Sequence, residues 1–545
     1  METTAHRALR SIHRRLRTDG WQALPHALRQ WRARRDARRS STVQWEAWVA
    51  RAEAEPIPPV PATGCPTFRV VVRGEGTAAD PTVRSLATAG APWELAIPGD
   101  AAAARPDEYW LAVGAGDTFR PGALARLAAA LAAAGPGAVA YADEDRRTAH
   151  GLEARLKPGP SPWLARTWPG EYPGAATAIP GEVVRAAPDA GNWTRVVLDA
   201  FAAAPSIAHV PFPALTRTPL AEDPVFGPTS TRFDAVRAHL AAEGIDVSRV
   251  DPERNVTAPR AHVDPVELVS AIVPTRDRPD FLASILDALA RVRRPLEIVL
   301  VDHATTDRDA RALLERAARD GMARVVRREG PFDFSASVND GARAARGDAL
   351  LLLNNDVEPT SEDWLDRLVA ALALPGVGAV GAYLTYPDGR VQHAGMLLGH
   401  GTVATHVGRG ELLGEAWPGL PADVAREVGA VTAACLLVRR RDFELVGGLD
   451  SARFPVSFND VDFCLRLREL GRSIFYEPAA RLVHHETATR DPHLDPEEIR
   501  RFGDRWSASL ESDAFTPPAL SPHVEPPAFD LRSRPRLAPR VWRRP

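Results

Sequence analysis

ALLLLNNDVEPTSEDWLDRLVAAL (349–372) runs an unbroken apolar stretch into Asn354-Asn355-Asp356 and then, past Thr360-Ser361-Glu362-Asp363, into apolar residues at helical spacing. A short continuous apolar run reads as a strand buried on both faces. The Thr-Ser-Glu-Asp step reads as a capping box that opens a helix. An open α/β sheet presents its ligand site where such a strand ends, and hard oxygen ligands at that point suit Mg²⁺ or Mn²⁺. The competing structural reading is a plain strand-end turn, since Asn and Asp are turn formers.

The same alternation continues on both sides. LVSAIV (268–273), LEIVLV (296–301), ARVV (323–326) and VGAVGAYL (377–384) are further strand runs, and helices are predicted over 280–290, 307–319, 335–345 and 364–374. The fold class expected is α/β, a doubly wound sheet with ligands at the carboxyl ends of its strands. An earlier stretch, 67–217, reads as a shortened relative. WELAIPGD (93–100) resembles LEIVLVDH (296–303), YWLAVGAGDTFRPGALARLAAAL (109–131) resembles the 349–372 segment, and GPGAVA (135–140) resembles GVGAVG (376–381). Asp100 to Asp117 spans 17 residues where Asp302 to Asp356 spans 54, a deficit of 37 that would hold a helix, a strand and another helix. Such a repeat predicts two tandem modules, the first eroded. Gly74-Glu75-Gly76-Thr77-Ala78-Ala79 after FRVVV (68–72) outlines a dinucleotide fingerprint. Pro81 interrupts the helix this fingerprint needs, and the later copy has PTRDRPD (274–280) in that place.

Over 545 residues the chain is 45% hydrophobic and 25% charged, which excludes a disordered chain, a collagen-like fibre and a disulfide scaffold. A formal net charge of -3 gives no electrostatic case for a nucleic-acid partner. Cys65, Cys435 and Cys464 are scattered without metal-ligand spacing, as in a reducing compartment. With no apolar span of about 18 residues and no signal-peptide pattern, the expected location is cytoplasmic. The ends differ from the average. Residues 1–40 interleave arginines with Leu9, Ile12, Leu16, Trp21, Leu24, Leu28 and Trp31. This basic helical arm could lie at the inner face of a membrane as a peripheral contact, or stay a solvated helix. The expected divisions are 1–65 arm and Pro-rich linker, 66–250 first module, 264–510 second module, and 511–545 a Pro-rich tail, more linker than core.

Further candidates sit at other strand and helix ends. LVDHATTD (300–307) places Asp302 at a strand tip, where a carboxylate can accept from a nucleobase or ribose, or simply cap a helix. In FNDVDFCLRLRELG (458–471), helical phase puts Asp460 with Phe463, Cys464 and Leu467 on the inward face. Asp462 falls nearly opposite, where an i+4 surface ion pair with Arg466 is expected. An inward carboxylate at a cleft suits a general base. RLVHHETATR (481–490) ends a strand with His484, His485 and Glu486; neighbours on a strand face opposite ways, so at most one histidine reaches a given site.

Together these segments resemble the bacterial family-2 nucleotide-sugar glycosyltransferases of the GT-A fold, in particular rhamnosyltransferase-like members. The resemblance is carried by SAIVPTRDRPDFLASILDAL (270–289), LEIVLVDHATTD (296–307), FDFSASVNDGARAARGDALLLLNNDVEP (332–359), GRVQHAGMLLG (389–399), AVTAACLLVRRRDFELVGGLD (430–450), FNDVDFCLRLRELG and RLVHHETATR. It implies a GT-A mixed sheet and inverting transfer from a nucleotide-diphosphate sugar to a glycan or lipid-linked acceptor, in cell-surface polysaccharide synthesis. It also implies a divalent cation, Mg²⁺ or Mn²⁺. Pro274, Thr275, Arg276 and Asp302 would bind the nucleoside, Asn339 and Gly341 would form a donor-pocket turn, and Asn354, Asn355 and Asp356 stand at the DxD-type motif. Asp356 with His484 or His485 would hold the metal, Asp460 would be the catalytic base, and Asp462 and Glu486 would support. DHATTD departs from the commoner Asp-Asn-Gly-Ser form, and Asn354 removes one charge from the metal motif. The first module resembles the N-terminal copy of tandem members: YADEDR (141–146) and RLKPGPSPWL (155–164) match, but Gly114-Ala115-Gly116-Asp117 keeps one carboxylate. The alternative is a catalytically inactive nucleotide-sugar or glycan-binding relative. A nucleotidyltransferase would need a Gly-rich loop after 268–273, which is lacking.

Overall fold

The computed structural model describes residues 41–543 apart from 60–64, 75–78, 188, 220–221, 252–255, 262–265, 414–418, 486–494 and 522–528. The basic arm 1–40 and Glu486 therefore lie outside the described residues. The second module contains strands β1 (Val269–Thr275), β2 (Leu296–His303), β3 (Arg324–Arg328), β4 (Ala349–Leu353), β5 (Val357–Pro359), β6 (Val377–Thr385), β7 (Cys435–Arg439) and β8 (Ser473–His484). Its principal helices are α1 (Pro279–Ala290), α2 (Arg308–Arg319), α3 (Phe334–Ala344), α4 (Trp364–Leu372), α5 (Asn459–Glu469) and α6 (Pro496–Glu511). The apolar runs expected as strands and the four expected helices all form, within a residue or two at each end.

The strands lie in the order β3-β2-β1-β4-β7-β6-β8-β5. β3, β2, β1 and β4 are parallel neighbours, as continuous apolar runs require. β6 does not join them directly. β7 enters antiparallel between β4 and β6, so the sheet is mixed, and β6 pairs in parallel with β8. Leu350 to Leu353 on β4 have no exposed surface. Helix starts follow local chemistry: Asp307 accepts from Ala310 N at 2.8 Å to open α2, and Asp333 accepts from Ala336 N at 2.7 Å to open α3. The expected capping box before α4 does not form. Asp363 holds the cap position without capping, because its carboxylate pairs with Arg367 at 2.7 Å.

The first module repeats this plan. Its strands run 93–96, 67–73, 108–114, 177–180, 139–148, 206–217, matching β2-β1-β4-β7-β6-β8 in order and in parallel or antiparallel sense. Where the second module has α2, β3 and α3, the first has the 3₁₀ turn Pro98–Ala103. That accounts for the shorter spacing. The Pro-rich tail is not the linker expected. Ala519 and Leu520 are fully buried, and Arg540–Arg543 adds an antiparallel strand beside Ser206–His209. Prolines break ladders only inside a strand, and none falls within 540–543.

One buried carboxyl on this frame gives the fold a pH dependence. Burial pushes Glu477 on β8 up to about 7, a rise that Asp363 reinforces and that the Ala479 N–H and Arg367 only partly oppose. A folded pKa above the unfolded 4.5 means stability is full below that value and falls as pH climbs through about 7. Glu477→Gln should therefore stabilise the protein at pH 8 by on the order of 1–3 kcal/mol and change little at pH 4.5. Urea unfolding at the two pH values checks this.

Candidate active site

The strand ends of β1, β2 and β4 meet at one edge. Thr275 and Asp302 are register partners on β1 and β2. Asn355 Nδ2 donates to Thr275 Oγ1 at 3.1 Å, which ties the Asn-Asn-Asp loop to β1. Asp302 is buried, and its Oδ1 accepts from Thr305 N at 3.0 Å. Pro274 lies beside Val301 in the same register, and Arg276 is exposed with its guanidinium 3.6 Å from Asp277. Asp277, which the sequence did not single out, accepts from Thr306 N at 2.7 Å and Asp307 N at 2.8 Å, fastening the β1 and β2 loops together. Among the described residues, the non-glycines with positive φ are Asp277, Arg278, Ala304 and Phe458. The first three lie in these two loops and the fourth immediately precedes α5. Backbone strain of this kind gathers at functional sites.

Asp356, 8% exposed, meets His484 from the end of β8, with His484 Nε2 3.2 Å from Asp356 Oδ1. Burial raises the carboxyl, but the neighbouring His484 more than offsets this and holds it below its usual range. Gln392, another residue the sequence left unmarked, fixes the imidazole: His484 Nδ1 lies 2.7 Å from Gln392 Oε1, which can only accept. With Nδ1 donating to Gln392, Nε2 is the ring atom that faces Asp356 Oδ1. That oxygen is buried and accepts no hydrogen bond among the described residues. The 3.2 Å between this carboxylate oxygen and the ring nitrogen matches the about 3 Å edge of an octahedron with ligands at about 2.1 Å. The donor set therefore fits Mg²⁺ or Mn²⁺. Among the described residues no third His, Cys, Asp or Glu joins them; Mg²⁺ sites commonly use one or two carboxylates and complete the shell with substrate phosphate and water. Asn354 Nδ2 is 3.4 Å from the same imidazole nitrogen. The His485 ring turns to the opposite face, 3.6 Å from Glu358 and against the Phe281 ring; its contact with Asp356 is main-chain, N–H donating to the Asp356 carbonyl at 3.0 Å.

Asp460 opens α5. Its Oδ1 accepts from Val461 N at 2.8 Å and its Oδ2 from Ala433 N at 3.2 Å. Burial raises this carboxyl above its usual value despite those bonds. The next residue, Ala434, accepts from Asn354 N at 3.0 Å, so Asp460 and the Asn-Asn-Asp loop hang from one dipeptide step. Asp462 does pair with Arg466, at 2.7 Å, but not at the surface as expected. It is fully buried, because α6 covers that face and Trp506 Nε1 donates to it at 2.9 Å. The expected donor-pocket turn at Asn339 and Gly341 is also corrected: both lie inside α3. Asn339 spends its amide on Leu449, donating to O at 2.8 Å and accepting from N at 2.9 Å. In the first module Asp117 is buried, accepts from Gly114 N at 2.8 Å and Thr218 N at 2.7 Å, and faces Arg217 Nε at 3.0 Å.

The fold is thus an α/β fold of GT-A type, with Asp302, Asp356 and His484 at its strand ends. Residues 270–408 match the family described as Glycosyl transferase family 2. The N-acetylglucosaminyl-diphospho-decaprenol L-rhamnosyltransferase of Mycobacterium tuberculosis is 32% identical over 235 residues, 39% of this chain and 73% of that protein. The O-antigen biosynthesis protein RfbC of Myxococcus xanthus is 32% identical over 456 residues, 77% of this chain but only 34% of that protein. A mannosyltransferase from Pyrobaculum calidifontis, solved with GDP-Man and Mn²⁺, is 18% identical with a TM-score of 0.31, covering 46% of this chain and 71% of that one. The chain belongs to glycosyltransferase family 2, and it spans about a third of the length of its O-antigen relative.

The placement of Gly341 yields a test. A Cβ there would stand 2.4 Å from Ile272 Cγ2 and 2.9 Å from Val301 Cγ2. Gly341→Ala is expected to cost about 1–3 kcal/mol of stability through overpacking, read as a lowered Tm, with nucleotide affinity per folded molecule unchanged.

Proposed function

We propose that the chain is an inverting glycosyltransferase that moves a sugar from a nucleoside-diphosphate sugar to a hydroxyl of a glycan or lipid-linked acceptor, in cell-surface polysaccharide synthesis. The observation that carries the reading is Asp460, a carboxylate with raised proton affinity, tied by Ala433-Ala434 to the loop that ends in Asp356. The names of the two sequence relatives, one for O-antigen biosynthesis and one for a lipid-diphosphate acceptor, support the acceptor class.

In this mechanism Asp460 takes the proton of the acceptor hydroxyl as its oxygen attacks the anomeric carbon. The new carbon–oxygen bond forms as the bond to the diphosphate oxygen breaks, and the nucleoside diphosphate leaves with the electron pair; in-line attack inverts the centre. Asp356 and His484, with Asn354 beside them, would hold a divalent cation, which when bound neutralises the diphosphate. Pro274, Thr275, Arg276 and Asp302 bind the nucleoside end, and Asn355 fixes Thr275. Asp462 supports by locking α5 through Arg466 and Trp506. The first module does not transfer sugar, because its single strand-end carboxylate, Asp117, is already neutralised by Arg217. Among the described residues no helix is long and apolar enough to cross a membrane; the basic residues 1–40 supply a peripheral contact with an anionic membrane surface.

Asp460→Asn should lower turnover by about 10²–10⁴-fold while leaving the Tm in place. Release of nucleoside diphosphate from a panel of sugar donors with Mn²⁺ or Mg²⁺ measures it, and near-normal turnover overturns the assignment. Because the base must be ionised and its carboxyl is raised, the acid limb of kcat/KM should lie above the ordinary aspartate value of 3.8.

A further inference from the structure

The two-residue strand Arg426–Glu427 pairs with β8 and touches both modules. Glu427 is buried and turns to the first module, where its carboxylate accepts from the Ser161 hydroxyl and, at 3.0 Å, from Trp163 N. Thr167 of the same helical turn donates to Ala425 O at 2.6 Å. Arg426, 2% exposed, turns the other way. Its guanidinium donates to Pro421 O at 2.5 Å, Val424 O at 3.1 Å and Ala394 O at 2.8 Å, and lies over the Tyr476 ring. Tyr476 in turn donates to Ala422 O at 2.6 Å. Ala394 is two residues from Gln392, the side chain that orients His484. A continuous set of contacts therefore runs from Ser161 and Trp163 to the imidazole facing Asp356.

We propose that the first module positions the cation pair of the second: Glu427 and Arg426 are positioning residues that set the orientation of His484 by way of Ala394 and Gln392. This rests on the reading of Asp356 and His484 as cation ligands. The physical ground is that a ligating histidine owes its aim to whatever holds its other ring nitrogen. Here that holder sits on a segment fastened by a buried guanidinium, and that guanidinium adjoins the one carboxylate anchored in the other module. A module that has lost its own strand-end chemistry would then still serve the site, as a bracket.

The test titrates Mn²⁺ alone into the full chain and reads free Mn²⁺ by electron paramagnetic resonance, with no turnover required. Gln392→Ala should weaken Mn²⁺ binding about 10–100-fold, and Glu427→Ala about three- to tenfold. The double variant should bind no more weakly than Gln392→Ala, since both changes act through one imidazole. Glu427→Gln, which keeps an acceptor for Trp163 N–H, should restore binding to within about twofold. Thr167→Val, a milder loosening of the same bracket, should weaken it in the same direction and covers the case in which Glu427→Ala fails to fold. Folded Glu427→Ala and Thr167→Val with unchanged affinity, or losses that multiply in the double variant, overturn the proposal. If the wild-type chain takes up no Mn²⁺, or His484→Ala binds it as well as wild type, the cation reading itself falls, and this proposal with it.

Discussion

A strand with neither face nor edge in water can show polar chemistry only at its ends, and β4 is in that position. β1 and β7 cover its edges and Leu350–Leu353 are fully buried. The first residues free to be polar are Asn354, Asn355 and Asp356, and the neighbouring strands end beside them. Thr275 ends β1, Asp302 is the penultimate residue of β2 and His484 closes β8. The site is therefore set by the depth of the core: lengthening β4 by one buried residue would turn the loop's side chains to the opposite face.

The duplicated plan shows what that constraint leaves open. In both modules a strand-end aspartate meets a basic group from the end of the corresponding long strand. In the second this group is an imidazole, held by Gln392 so that Nε2 faces Asp356. In the first it is the Arg217 guanidinium, a cation that cannot leave, reinforced by the backbone N–H groups of Gly114 and Thr218. That ion pair and the two N–H groups engage both oxygens of the Asp117 carboxylate. The same architecture thus places an imidazole beside one strand-end aspartate and a guanidinium beside the other.

Most of the second module was legible in the sequence because its signals are local. Apolar runs of four to eight residues, Asp at helix starts and a 37-residue deficit between repeats each fix an element without reference to distant chain. What the sequence hid was decided at long range. Asp462 looked like a surface residue because α5 alone gives it a polar phase; α6, some forty residues later, buries it under Trp506. Asn339 and Gly341 stood as a donor-pocket turn by resemblance alone, inside a stretch whose own periodicity predicts a helix; Leu449 satisfies the amide, and Ile272 fills the space a Cβ would take. Gln392 carries no motif of its own, and only the fold brings it to His484. The tail reads as proline-rich linker until its last strand finds the open edge of the first module's sheet.

The charge balance hid a further division of labour. Of the 67 basic residues one is a lysine, Lys157, and burial lowers its amine's proton affinity against the pull of Glu144. A guanidinium keeps its charge under the same burial and presents five donors in one plane. Arg466 uses that plane to join Asp462 to the carbonyls of Val446 and Gly448. Arg440 spans Gly347 and Ala342, and Arg426 gathers Pro421, Val424 and Ala394. Each of these arginines terminates main-chain carbonyls, in loops or, for Ala342, in the last turn of α3. These three arginines work as backbone scaffolding.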